Sequence, residues 1–415
     1  MEYVELAAIA GVVLAYGLFS RRLETTPLTG PILFVAAGMV MGATGVIETG
    51  MDEGPVRVLA EATLVLLLFT DAIRIDLRVL RGQIELPARL LGIGLPLTVG
   101  LGVLLASWIF TGYAFWEAAL VAAILSPTDA ALGQAVVTNP SVPGRIRQAL
   151  NVESGLNDGL MLPVITLFLA LAASSVDIET PSFWVGFVAR QVGFGVLFGV
   201  LVGYVGGRMI DHFATRGWIE GAARQLSTLA VGVGAFAVAE IVNGNGFVAA
   251  FVAGLAFGEA AREHCTGAYD FAEDEGQLLA TLTFLFFGAV FAGPALGDLT
   301  WPILGFALLA LTVMRIVPVA VSLVGSHLSV PTVAYMAWFG PRGLASILFG
   351  LFILEEADLP AGDEIFLVVT WTVILSVLLH GLTSVWLSER YGQWYVIHRR
   401  SHMPEATAVE EMPTR

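Results

Sequence analysis

Two aspartates, Asp129 and Asp158, lie in stretches otherwise apolar enough for a membrane interior, Ile124-Leu-Ser-Pro-Thr-Asp-Ala130 and Asn151-Val-Glu-Ser-Gly-Leu-Asn-Asp158. An ionisable group near a bilayer midplane costs at least ~2.5 kcal/mol on insertion scales, and such groups mark ion or proton pathways. Pro127 removes a backbone donor and obstructs the preceding turn, so the chain around Thr128 and Asp129 is expected to unwind and bare its carbonyls. Hard cations take hydroxyl, carboxylate and carbonyl oxygens as ligands. Thr128-Asp129 offers all three. In the second stretch Asn151, Ser154 and Asp158 stand at i, i+3 and i+7 and share one helical face, whereas Glu153 and Asn157 form an i, i+4 pair turned about 100° away. The chemistry this suits is ion exchange: Asp158 can hold a proton or a cation but not both productively, and that competition is the coupling. The cation-site candidates are therefore Asp158, Asp129, Thr128 and Ser154, supported by Asn157 and Pro127.

A buried Glu153 needs a countercharge. Arg315 and Arg342 are the arginines placed to supply it, and the sequence leaves both open. Asp71, in Thr70-Asp-Ala-Ile-Arg-Ile-Asp-Leu-Arg78, falls at the end of a span, where it either lines an ion funnel or pairs with Arg74.

The elements that must position these residues are membrane helices. Of the 415 residues 57% are hydrophobic and 13% charged, and the mean hydropathy is +0.81; this excludes a soluble globular protein. The apolar runs are continuous rather than alternating, which excludes a β-barrel. Thirteen spans are expected, near 2–20, 27–47, 56–70, 86–110, 114–138, 149–173, 183–208, 222–242, 245–260, 276–292, 299–325, 332–354 and 364–387. Met1-Glu-Tyr-Val-Glu5 lacks a basic leader, so the first span is read as retained. The lone Cys265 is read as a loop thiol, and no cofactor is called for beyond the transported ions.

The net charge is −15, and every base is arginine. Outside the spans, all the arginines but Arg57 fall on one side, which predicts an external N-terminus and a cytoplasmic C-terminus. Asp177 and Glu179 fall in a loop on the opposite side. Thirteen spans divide as six, one and six, and the odd linker inverts the second six against the first. The fifth and twelfth spans then correspond, and both carry a proline break beside a charge: Ser126-Pro-Thr-Asp129 and Phe339-Gly-Pro-Arg-Gly343. Paired interruptions of this kind point to a transport site. The polar tail, 391–415, is too short to fold alone.

These residues resemble the monovalent cation:proton antiporter superfamily, specifically sodium/proton exchangers whose sixth helix carries an Asn-Asp pair. The resemblance covers about residues 5 to 390. It rests on Thr128-Asp129, Glu153-Ser154 with Asn157-Asp158, Arg315, Phe339-Gly-Pro-Arg-Gly343 and His380-Gly-Leu-Thr383. It implies an all-α fold of two inverted six-helix repeats with discontinuous fifth and twelfth spans that cross. It also implies a homodimer in the plasma membrane, with a dimerisation part near 1–70 and 222–292, a linker helix at 183–208 and a transport part near 86–173 and 299–390. Elevator-type alternating access and, from Asn157, electroneutral exchange of Na+ (or Li+ or K+) for H+ are further implications. Relatives carry Phe-Glu-Gly-Gly where this chain has Phe69-Thr-Asp-Ala72, which moves the acid by one position.

Two rival readings are weaker. An intramembrane aspartyl protease would use Asp129 and Asp158 as a proton-sharing dyad, but Gly155-Leu-Asn-Asp158 departs from the Gly-x-Gly-Asp signature. An organic-anion symporter would need uncompensated positive charge, and this site is acidic. Nothing suggests a nucleic-acid partner.

Overall fold

The computed structural model describes residues 3–23, 26–47, 53–129, 132–173, 181–261, 266–356, 359–398 and 403–407. Cys265, Asp177 and Glu179 lie outside them. The helices are α1 (Tyr3–Leu23), α2 (Gly30–Ala43), α3 (Glu53–Ile73), α4 (Leu95–Ile109), α5 (Phe115–Ile124), α6 (Gly144–Ala173), α7 (Pro181–Thr215), α8 (Gly221–Ile241), α9 (Gly246–Ala260) and α10 (Thr266–Phe286). They continue with α11 (Trp301–Leu311), α12 (Val313–Ser322), α13 (Val330–Trp338), α14 (Leu344–Glu356) and α15 (Gly362–His398), joined by shorter turns. No strand occurs among the described residues. Each expected span overlaps helix, and among the described residues eight helices are long and apolar enough to cross a membrane, so the count of thirteen is not itself established. Four further apolar helices are shorter; Phe115–Ile124 and Leu344–Leu354 are halves of two broken spans, whereas Gly30–Ala43 and Gly246–Ala260 are short without a break.

The first broken span stops after α5 at Leu125-Ser-Pro127, and the second stops after α13 at Phe339-Gly-Pro341. In both cases proline cannot donate to the preceding turn and disfavours helix at the residue before it. The neighbouring spans are also irregular. A π-turn, Leu90–Gly94, leads into α4, and Thr312, at φ −111° and ψ −80°, separates α11 from α12.

Packing relies on small residues, as expected where lipid removes the hydrophobic drive between helices. Along α7, Gly195, Gly199 and Gly207 recur at multiples of four. A Cβ on Gly195 would lie 2.9 Å from the Asn245 carbonyl, one on Gly199 would lie 2.7 Å from the Ala249 carbonyl, and one on Gly207 would lie 2.9 Å from Ala260 Cβ. The α7 and α9 backbones therefore pack in contact.

α6 carries the second acidic cluster and α15 backs the broken spans. The 37 residues of α15 reach roughly 55 Å, well beyond a hydrocarbon slab of about 30 Å. Its last turns therefore project past the apolar layer, and the helix continues beyond the expected end of its span to His398. There Tyr391 stacks on Tyr335 of α13, with ring centroids 4.3 Å apart.

Candidate functional site

The two breaks meet. The Asp129 N–H donates to the Pro341 carbonyl at 2.8 Å, and the Leu344 N–H, the first of α14, donates to Asp129 Oδ2 at 2.5 Å. The Leu132 N–H donates to Oδ1 at 3.2 Å. Asp129 thus places its negative charge at the positive end of a half-helix, where unsatisfied N–H groups and the dipole favour it. The reciprocal contact comes from Arg342, which is fully buried. Its Nε donates to the Leu125 carbonyl just past the end of α5 at 2.5 Å, and its Nη1 donates to the Gly340 carbonyl. Ser346 Oγ donates to the Ile124 carbonyl at 3.0 Å. An acid at the N-terminus of one half-helix and a base at the C-terminus of the other neutralise both exposed ends.

The glycines of Gly340-Pro-Arg-Gly343 are required by this crossing. A Cβ on Gly343 would fall on the Asp129 carboxylate, and one on Gly340 would fall on the Arg315 guanidinium. Neither neighbour can swing away, since both are held by several hydrogen bonds. Gly343→Ala is therefore expected to lower both the yield of folded protein and its thermal stability in detergent. The overpacking cost is about 1–3 kcal/mol, and a melting curve equal to that of wild type would contradict it.

α6 fits against the first break from below. Ser154 Oγ donates to the Thr128 carbonyl at 2.5 Å, and Asn157 Nδ2 donates to Thr128 Oγ1 at 2.7 Å. Asn157 is 1% exposed, and its Oδ1 has no hydrogen-bond partner. A buried acceptor left unmatched costs about 1–3 kcal/mol, and a cation would satisfy it. At the first break a cavity of about 20 Å³ is bounded by Thr128, Asp129, Glu153, Ser154, Phe339 and Pro341, and neither Asn157 nor Asp158 lines it. That is room for one water-sized particle.

Asp158 follows one turn beyond Ser154 on α6 and is half-buried. Gly155 faces Ile75 Cδ1, at 3.8 Å from its built Cβ, and Gly159 is pressed against the Phe251 ring of α9. This stretch of α6 thus faces Ile75, just past α3, and Phe251 of α9.

The open choice of countercharge resolves to Arg315. It makes a bidentate pair with Glu153, Nη1 to Oε1 and Nη2 to Oε2, the latter at 2.9 Å. The same Nη2 reaches the Phe339 carbonyl at 3.2 Å and the Met336 carbonyl at 3.4 Å, at the C-terminal end of α13. Arg342 makes no such pair; it serves α5 instead. Asp71 sits half-buried in the last turn of α3 and does not bound the cavity.

Sequence reasoning missed the role of His380. Its Nε2 lies 3.1 Å from the Trp338 carbonyl at the end of α13, and its Nδ1 lies 3.1 Å from the Ser376 carbonyl. Ser376 Oγ in turn accepts from the Arg342 N–H at 2.6 Å. A histidine within the apolar run of α15 was the available signal.

Residues 8–390 match the family model described as sodium/hydrogen exchanger, transmembrane. The chain is 25% identical over 399 residues to the K(+)/H(+) antiporter NhaP of Alkalimonas amylolytica, covering 95% of this chain and 67% of that protein. It is 28% identical over 352 residues to the Na(+)/H(+) antiporter NhaP of Pseudomonas aeruginosa, covering 76% and 77%. Against NhaP2 of Shewanella baltica it is 24% identical, covering 84% of this chain and 60% of the relative. The chain thus spans only about three-fifths to two-thirds of the K(+)/H(+) relatives' length. In fold it is similar to the sodium proton antiporter MjNhaP1 from Methanocaldococcus jannaschii at pH 8, with a TM-score of 0.74 at 21% identity over 93% of this chain and 99% of that one. With the family model matched along nearly its whole length, the chain belongs to the sodium/hydrogen exchanger family.

Proposed function

We propose that this transporter is a secondary antiporter exchanging a monovalent cation, Na+ or its congeners Li+ and K+, for H+, with cation and proton competing for Asp158. The observation that carries the proposal is the crossing itself. Two discontinuous helices meet at Asp129 and Arg342, their end charges are balanced internally, and Ser154 and Asn157 of α6 hold Thr128 at the first break. We assign the exchanged ion to Asp158, which shares a helix face with Ser154 one turn beyond the Ser154–Thr128 contact.

The facing of this stretch of α6 toward Ile75 and α9 suits elevator-type alternating access. A transport part near 86–173 and 299–390 would slide against a dimerisation part near 1–70 and 222–292, with 183–208 as linker, carrying Asp158 past the α3 and α9 wall. Homodimer formation, electroneutral exchange through Asn157 and a plasma-membrane orientation with the C-terminus inside belong to the same reading. The relatives are named as antiporters of Na+ in one case and of K+ in others, which supports the substrate class without choosing within it.

The test is cation-induced pH change in proteoliposomes holding the full chain and a trapped pH dye. Addition of sodium, lithium or potassium should drive proton movement that a protonophore dissipates. Absence of any cation-dependent proton flux, with protein correctly inserted, would overturn the reading.

A further inference from the structure

The two half-helices that open the broken spans, α5 and α13, are capped in the same way by acids from different places. At α5 the N-cap is Ala114 and the third helical residue is Glu117, whose Oε2 accepts the Ala114 N–H at 2.8 Å, the acid's half of a capping box, to which alanine has no side-chain acceptor to add. Glu117 Oε1 also accepts the Ala361 N–H at 3.1 Å, just before α15. At α13 the N-cap is Ser329 and the third helical residue is Thr332, whose hydroxyl meets the Ser329 hydroxyl at 2.7 Å but does not take the Ser329 N–H. Its place is taken by Glu405, 73 residues further along. Glu405 Oε1 accepts the Ser329 N–H at 2.8 Å and the Thr332 hydroxyl at 2.9 Å.

The parallel extends to the next long helix. As Glu117 ties α5 to the start of α15, the Glu405 segment ties α13 to the start of α6, because Arg145 Nη1 donates to the Pro404 carbonyl at 2.8 Å. Arg145 also pairs with Glu85 at 2.8 Å. Thr332 lies 2.9 Å from the Tyr391 hydroxyl, and Tyr335 lies 2.8 Å from Ser388 Oγ, so α15 joins the same cluster. Glu405 is 2% exposed. Burial pushes its carboxyl up, but the hydrogen bonds from Ser329 and Thr332 outweigh this and hold it below the usual carboxylate range, so it is ionised at neutral pH.

We propose that Glu405 is a positioning residue for transport: the segment Met403–Thr407 supplies in trans the capping-box acid that α13 lacks, and so holds the second broken helix in register with α6 and α15. Resting on the antiport reading above, the proposal makes the segment a detachable cap. It leaves the ion ligands alone and sets how firmly the Phe339–Gly343 break is held against Asp129. Its removal frees the first turn of α13 and lets the crossing move out of register during each transport cycle.

The test uses the full chain in proteoliposomes, comparing wild type, Glu405→Ala, Glu405→Gln and Glu405→Ala combined with Thr332→Glu. Glu405→Ala should speed hydrogen exchange in the first turn of α13 and lower the maximal cation-driven proton flux, each by roughly threefold to tenfold, the scale of a lost cap. The apparent KM for the cation should not change. Glu405→Gln, which keeps the acceptor, should lie near wild type. Thr332→Glu, which rebuilds the box within the helix as Glu117 does in α5, should restore both readouts in the Glu405→Ala background. Unchanged exchange and flux in Glu405→Ala would overturn the proposal, as would failure of Thr332→Glu to rescue either one. If wild type itself moves no protons, the transport reading fails, while the exchange measurement still decides the cap.

Discussion

Asp158→Asn is expected to abolish cation-driven proton movement while leaving a folded protein of unchanged or higher thermal stability. Asparagine keeps the size and one carbonyl oxygen but can neither bind the transported proton nor balance a cation. Exchange therefore loses both of the states between which it alternates. Loss of folding is not expected, because removing a charge from an apolar bundle relieves a cost of several kcal/mol in desolvation. Asp158→Glu keeps the titrating group but lengthens it by one methylene beside the close α6–α9 contact at Gly159 and Phe251. It should retain a reduced flux with a shifted pH profile. Full sodium-dependent flux in Asp158→Asn would remove Asp158 from the mechanism and shift the exchanged ion to Asp129 or Glu153, whose oxygens are otherwise committed.

That division of labour among three acids was only partly legible in the sequence. The spans were, because runs of apolar residues of the right length admit few alternatives, and so were both breaks, because Pro127 and Pro341 interrupt those runs. The i, i+3, i+7 and i, i+4 spacings set Ser154 and Asn157 on faces about 100° apart, yet both bond Thr128, Ser154 through its carbonyl and Asn157 through its hydroxyl. What could not be read were pairings across the bundle. Arg315 and Arg342 are equivalent as sequence: each is a lone base in an apolar stretch. Only the crossing assigns one to Glu153 and the other to the carbonyl end of α5. Glu405 was less legible still, since capping in trans leaves no local pattern. Ser329 is followed at the third helical position by threonine rather than an acid, and nothing nearby announces that the acid comes from Glu405.

The crossing also explains why so many charges sit in an apolar core. Breaking two helices exposes four ends, each with unsatisfied backbone groups. Asp129 serves the N-terminus of α14, Arg342 the end of α5, and Arg315 with His380 the end of α13. Arg315 would itself be an unpaired buried cation without Glu153. Asp129, Arg342, Arg315, Glu153 and His380 are thus in the core as consequences of the breaks.

Arg315→Ala is accordingly expected to be the most destabilising single change in the site, exceeding Glu153→Ala. Removing one partner of a buried ion pair costs about 3–5 kcal/mol because the other charge is stranded. Arg315→Ala strands the Glu153 carboxylate and also leaves the Met336 and Phe339 carbonyls unsatisfied, at about 1–3 kcal/mol for each. Glu153→Ala strands the guanidinium but leaves it both carbonyls. Arg315→Lys should recover part of the loss, since a point charge cannot match a carboxylate and a helix end with one planar fork. A double replacement, Glu153→Leu with Arg315→Met, removes the stranded charge and should be more stable than either alanine variant, yet remain below wild type because the carbonyls stay open. The measurement is thermal unfolding of detergent-purified protein alongside the yield of monodisperse material. Arg315→Ala melting with wild type, or Glu153→Ala purifying intact with changed cation selectivity, would sink the structural role given to this pair and return Glu153 to the list of ion ligands.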